Sequence, residues 1–209
     1  MMSNNKDPKV GACPAVVSPP AGPTVYNYVK NPSITSLTGV AAGPSLMTDG
    51  GFSGSTYARQ AFTGNATGGT IIAGSGTGNA IPVTPGETYT FSAWARSSKA
   101  GAFRLRASWS TASLSLGPVT TVGPGWVRLT LTATAPPSGP FGGATSVSLQ
   151  VYAGTSAFEV MTWSAGDWFD ADAFMVSDGT TLTEFRDGSF PNCSWQGAAN
   201  NSTSVCTQI

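Results

Sequence analysis

Residues 84–98, TPGETYTFSAWARSS, alternate behind a Pro-Gly turn. Tyr89, Phe91, Ala93 and Ala95 fall on one face, and Thr90, Ser92, Trp94 and Arg96 on the other. A period of two sends successive side chains to opposite sides of an extended chain, so this stretch predicts a half-buried strand. Three later stretches repeat the pattern. GAFRLRASW sets Phe103, Leu105, Ala107 and Trp109 against Arg104, Arg106 and Ser108. GWVRLTLTATA sets Val127, Leu129, Leu131 and Ala133 against Trp126, Arg128, Thr130 and Thr132, and SVSLQVYAG sets Val147, Leu149 and Val151 against Ser148, Gln150 and Tyr152. Strands with one apolar face each predict two antiparallel sheets packed face to face: an all-β sandwich of jelly-roll type. Residues 25–36, VYNYVKNPSITS, predict a first strand with an irregularity at Pro32. Residues 1–24 hold five prolines and no sustained alternation, which predicts an extended arm; residues 191–209 read as a short C-terminal extension.

Composition agrees with this reading. Gly (26) and Pro (15) punctuate the chain too often for long helices, and Thr (26) with Ser (25) supplies the polarity that charged residues, at 10%, do not. A length of 209 residues suits one domain with arms. The formal charge of zero argues against nucleic-acid binding, and no apolar run approaches the ~20 residues of a membrane span. The N-terminus, MMSNNKDPKVGACP, lacks the apolar core of a signal peptide. Charge is unevenly placed. Residues 1–150 carry nine Lys/Arg against three Asp/Glu, and residues 151–209 carry one against seven, so opposite patches pair within the fold or between subunits of a homo-oligomer.

The absence of histidine excludes a Ser-His-Asp triad, a Cys-His dyad and an HExxH zinc site. A glycosidase needs only two carboxylates. Seven of the ten acids, however, fall in one continuous segment from Glu159 to Asp187, where a pair facing across a cleft is not expected; the reading is non-enzymatic. Gly74, Gly76 and Gly78 have a phosphate-loop look, but no GK[ST] follows and a strand comes next, so they read as a loop. Asp170 and Asp172, within GDWFDADAFMVSDG, are candidate oxygen ligands for a structural calcium ion; the alternative is that they share one strand face and balance the basic face of other strands. No other cofactor is indicated. The outward positions Trp94, Arg96, Arg104, Arg106, Trp126, Arg128, Gln150 and Tyr152 combine rings that stack on sugars with donors for hydroxyls. The same mixture suits a protein interface, and a Trp also packs over a sheet for its own sake. Cys193 and Cys206 leave two readings open, a disulfide worth about 3 kcal/mol or two free thiols.

Three pieces of residues 25–190 resemble the carbohydrate-binding-module-like jelly rolls appended to enzymes and phage proteins. They are NYVKNPSIT, similar to a family opening strand of form N-x-x-x-N-P-S/G-F-E; the pair VTPGETYTFSAWAR and GPGWVRLTLTATAP; and the closing AGDWFDADAFMVSDGTTLTEFRDGS. The end of the chain is similar to minor tail proteins of actinobacterial phages, which finish with Y-F-D-G and W-x-G before a Ser-rich run. Phe185, Asp187, Gly188, Trp195, Gly197, Ser202 and Ser204 match, whereas Arg186 interrupts the first element and the two cysteines are additions. The resemblance implies a virion component (minor tail, collar or head-decoration protein) with other virion proteins as partners and host surface glycan as ligand. Such a protein is made in the host cytoplasm without a signal peptide. The alternative is a stand-alone or enzyme-appended carbohydrate-binding module. The resemblance also implies a calcium site using Asp172, although Ile34 and Thr35 stand where the family's acidic residue is expected.

Overall fold

The structure, a computed structural model, describes residues 24–76, 78–138, 142–156 and 159–207. It is all-β. One sheet of seven strands runs β10 (Leu114–Leu116), β9 (Gly101–Trp109), β13 (Ser146–Ala153), β6 (Thr70–Ala73) and β2 (Val40–Ala41), with β11 (Thr120–Val122) also on β9 and β7 (Ile81–Pro82) on β13. The second, of five strands, runs β12 (Val127–Thr134), β8 (Thr88–Ser97), β15 (Trp168–Asp178), β4 (Tyr57–Ala61) and β3 (Ser45–Met47). A small sheet joins β1 (Thr24–Asn27), β17 (Ser204–Thr207) and β16 (Cys193–Trp195), and β14 (Thr162–Trp163) pairs with β5 (Ala66–Thr67). All these pairings are antiparallel, so the jelly-roll sandwich expected from the alternation is the observed fold.

The apolar rows meet in the middle as their spacing demands. Phe103, Leu105, Ala107 and Trp109 from β9 and Val147, Leu149 and Val151 from β13 face Tyr89, Phe91, Ala93 and Ala95 from β8 and Leu129 and Leu131 from β12. Each large side chain removed from water contributes roughly 1.5–3 kcal/mol, so these rows hold the sheets together. Trp163 lies flat on Phe62, with ring centroids 4.5 Å apart, and closes one side of the core.

Two departures from strict alternation shape the rest. The first strand stops at Asn27 instead of running through residues 25–36. Side chains there take over from ladder partners: Asn31 Nδ2 donates to Ser36 O at 2.7 Å, and Thr35 N donates to Asn31 Oδ1 at 3.0 Å. In β15 the register against β8 slips between Asp172 and Met175, with Ala173 at φ 50°. This bulge admits one extra residue, so Phe169, Ala171, Phe174 and Val176 all reach the core while Met175 turns outward. Buried Asn27 braces it. Its Oδ1 accepts from Val29 N and Val176 N, and its Nδ2 donates to Phe174 O and Arg186 O, all within 3.0–3.2 Å. The Pro-rich arm expected over residues 1–24 lies outside the described residues except for Thr24, which opens β1. Among the described residues, no helix is long and apolar enough to cross a membrane.

Candidate functional site

The eight outward residues do not form one surface. β8 and β12 belong to the five-stranded sheet, whereas β9 and β13 belong to the seven-stranded one, so the sandwich core separates two groups. Trp94, Arg96, Trp126 and Arg128 lie on the outside of the first. Arg104, Arg106, Gln150 and Tyr152 lie on the outside of the second, where the register sets Gln150 opposite Arg106 and Tyr152 opposite Arg104. Alternation reveals which residues point out of a strand but not which sheet the strand joins.

The first group is covered. Phe52 stacks on Trp94 with centroids 3.7 Å apart and meets Trp126 edge-on at 6.4 Å. Beneath Trp94, the outward residues Ala173 and Met175 form a second small core with Phe185 and Val25. Arg96 spreads over the rings of Trp126 and Tyr57 at 4.5 and 4.8 Å. Arg128 Nη2 donates to Ser92 Oγ at 3.1 Å and to Thr183 O. Burial lowers the pKa of Arg128, and its Nε finds no hydrogen-bond partner among the described residues. Trp94 and Arg128 are therefore packing residues beneath the C-terminal segment. A sugar cannot stack on a ring that already carries Phe52.

Asp170 and Asp172 share this face and have different environments. Asp170, fully buried, accepts from Arg59 Nε at 2.7 Å and Nη2 at 2.9 Å, and from Arg96 Nε at 2.8 Å. Two guanidinium groups on one carboxylate satisfy it with cations of the protein's own. That donor set does not fit a calcium ion, and the balancing role stated above is the one Asp170 fills. Asp172 accepts backbone amides, from Ser53 at 2.8 Å and Ala173 at 2.7 Å. Burial pushes its pKa up to about 7 against these amides, and the nearby charge of Asp187 pushes the same way. Gly51 permits the contact: a Cβ there would sit 2.4 Å from Thr56 O and 2.9 Å from Asp172 Oδ2. Asp187 in turn accepts from the hydroxyls of Ser33 and Ser189 and from Ser189 N at 2.9 Å. Among the described residues, no three Asp, Glu, Cys or His side chains gather as a metal site.

The closing segment is tied down by contacts that its sequence pattern does not reveal. Trp195 lies so close over Gly188 that a Cβ there would meet its ring at 2.4 Å. Cys193 and Cys206, opposite each other in β16 and β17, form a disulfide. The charge imbalance resolves partly within the chain, through Lys99 with Asp167 and through Arg59 and Arg96 with Asp170.

Three of the second group border a cavity on the outer face of their sheet. Arg104 is held by main-chain carbonyls: its Nε and Nη2 donate to Gly117 O at 3.0 and 2.8 Å, and its Nη1 donates to Thr155 O. Arg106 lies over the Tyr152 ring at 4.4 Å, and Tyr152 Oη donates to Ser156 O at 2.9 Å. Beside them stand Leu114 and Leu116, 50% and 48% exposed, which the sequence reading did not single out. Register could have found them, since Leu116 pairs with Arg106 and Leu114 with Ser108 on the same outward face. Together Arg104, Arg106, Leu114, Leu116, Tyr152 and Ser156 line a cavity of about 100 Å³. A larger hollow of about 600 Å³, where Tyr28, Glu87, Tyr89 and Asp178 meet, contains none of the eight expected residues.

No protein-family model matches the chain, and no curated protein matches it. Solved structures resemble its fold. The C-terminal family 22 carbohydrate-binding module of Clostridium thermocellum Xyn10B aligns with a TM-score of 0.51 at 19% identity, over 76% of this chain and 97% of that one. A xylan-binding domain of the same module family gives 0.49 at 18% identity over 76% and 96%. The enzymatically active domain of tailspike protein 4 from bacteriophage CBA120 gives 0.48 at 13% identity, over 72% of this chain and 21% of that one. The first of these alignments shows a fold shared with carbohydrate-binding modules.

Proposed function

We propose that the chain is a non-catalytic, glycan-binding jelly roll displayed on a bacteriophage particle as a minor tail, collar or head-decoration component. The observation that carries the binding half is the open face of the seven-stranded sheet. There Arg104, Arg106 and Tyr152, three of the eight residues expected to meet sugar, line a cavity, and Gln150 lies opposite Arg106 in the ladder. The fold shared with a carbohydrate-binding module supports the same reading. The non-catalytic reading is supported by the tied acids: Asp167, Asp170, Asp172 and Asp187 each hold structural partners. The virion half rests on the resemblance of the closing segment to phage tail proteins. Residues of that pattern are packed in the structure: Phe185 joins the small core of Ala173 and Met175, Asp187 accepts from Ser33, and Gly188 lies against Trp195. Its partners on the particle would be other virion proteins or further copies of itself.

A stand-alone or enzyme-appended carbohydrate-binding module is the second reading, favoured by the alignment spanning 97% of a family 22 module. Two measurements separate the proposals. A glycan array probes the sheet face, and binding that disappears with Arg106→Gln but survives Trp94→Phe supports this surface. Mass spectrometry of purified particles probes the virion role, which fails if the chain is absent from them.

A further inference from the structure

We infer that the glycan recognised by the open face is anionic, its carboxylate or phosphodiester group paired with Arg106. This rests on the glycan reading above and narrows it to a class of ligand.

Arg106 has no hydrogen-bond or ion-pair partner among the described residues, so its fork of N–H donors remains available. It is nevertheless held in place, because its guanidinium lies 4.4 Å from the Tyr152 ring and Tyr152 is itself anchored through Ser156. A guanidinium fixed on an aromatic face loses little freedom when it binds, and its planar fork matches a carboxylate or phosphate. The two exposed leucines beside it supply low-dielectric walls that strengthen such a contact.

Charge around the cavity points the same way. None of its lining residues is acidic, and Arg104 adds a second positive charge whose donors are already engaged by main-chain oxygens. Glu159, the carboxylate tied to the adjoining loop, accepts from the Thr155 hydroxyl. A neutral sugar is the poorer match. Sugars without charge gain most from an exposed aromatic ring, and here Arg106 covers a Tyr152 that is only 8% exposed. What remains for the sugar body is the aliphatic surface of Leu114 and Leu116.

The test is calorimetric titration of the full chain with four probes of similar length: oligogalacturonate, a glycerol-phosphate oligomer, a neutral galactan oligomer and poly-glutamate. Expected is binding of at least one anionic saccharide at least tenfold tighter than galactan, weakened by 0.5 M salt and lost at least tenfold in Arg106→Gln. Which of the two binds identifies the carboxylate or the phosphodiester. Arg106→Lys, which keeps the charge without the fork, gives an intermediate loss and carries the comparison if the Gln variant does not fold. Galactan binding as tight as oligogalacturonate, unchanged in Arg106→Gln, overturns the anionic class and leaves the glycan reading standing. Binding of none of the saccharides overturns both. Poly-glutamate binding as tight as the anionic saccharides overturns the carbohydrate in favour of an acidic peptide.

Discussion

On the outside of the five-stranded sheet, arginine and tryptophan turn toward one another. Arg96 lies among Trp126, Tyr57 and Asp170, and Trp94 lies under Phe52. On the outside of the seven-stranded sheet the pairing is sparser: Arg106 lies over the ring of Tyr152 with no hydrogen bond or ion pair among the described residues, and two leucines beside it are half exposed. The difference does not come from the strands, which alternate alike. It comes from what crosses them. Residues 49–56 and the chain beyond Asp178 lie over the first face, tied by Asp172 to Ser53 and by Arg128 to Thr183. Beside Arg104 and Arg106, the other face carries the short β10 and β11 along β9 at its margin. One face is therefore a second, mixed core, and the other is the face to which the binding proposal belongs.

The contrast can be broken most severely at Asp170. Replacing it with Ala leaves Arg59 and Arg96, each only 20% exposed, without their carboxylate, and we expect a loss of about 3 kcal/mol in urea unfolding. A loss below about 0.5 kcal/mol would mean that the covered face is decoration and not core. Next comes the clasp. Cys193→Ser with Cys206→Ser should cost up to about 3 kcal/mol, and hydrogen exchange should quicken first in β16 and β17.

A smaller effect is expected from pH. Asp172 titrates near 7 in the fold against an ordinary 3.8, so the folded state holds a proton that the unfolded chain has released. Stability from this group is present below about pH 4 and declines as pH rises toward 7, the reverse of a salt-bridged acid. The melting temperature should therefore be higher at pH 5 than at pH 8, by about 2–4 °C for each kcal/mol, and Asp172→Asn should flatten that slope. A melting temperature that rises over this range would contradict the burial of Asp172. EDTA should leave it unmoved, because the oxygens of Asp170 and Asp172 already accept protein donors. The smallest effect on stability belongs to the open face: Arg106→Gln should change unfolding by less than about 0.5 kcal/mol, which is what makes it a clean probe of binding.

Much of this architecture is legible in the chain. The alternation in residues 84–98 and its three repeats correctly separates inward from outward residues in β8, β9, β12 and β13, because side-chain direction along a strand is a local property of the backbone. The β15 bulge is not legible that way. Continuing the alternation of Phe169 and Ala171 would send Met175 inward and Phe174 and Val176 outward, and the slip that reverses this is set by Asn27, from a strand nearly 150 residues earlier. Cys193 and Cys206 were visible as a pair of thiols, but their union depends on β16 and β17 lying side by side.

The same division holds for function. By itself the sequence determined a β-sandwich without histidine chemistry, its outward side chains rich in arginine and aromatic rings. Tertiary structure alone decided that those side chains belong to two opposite faces, that one face is sealed by Phe52 and the C-terminal segment, and that Arg106 has no hydrogen-bond or ion-pair partner among the described residues. The physical reason is range. Periodicity records which side of its own strand a residue occupies, whereas exposure depends on segments distant in sequence that fold back over that side, or leave it bare.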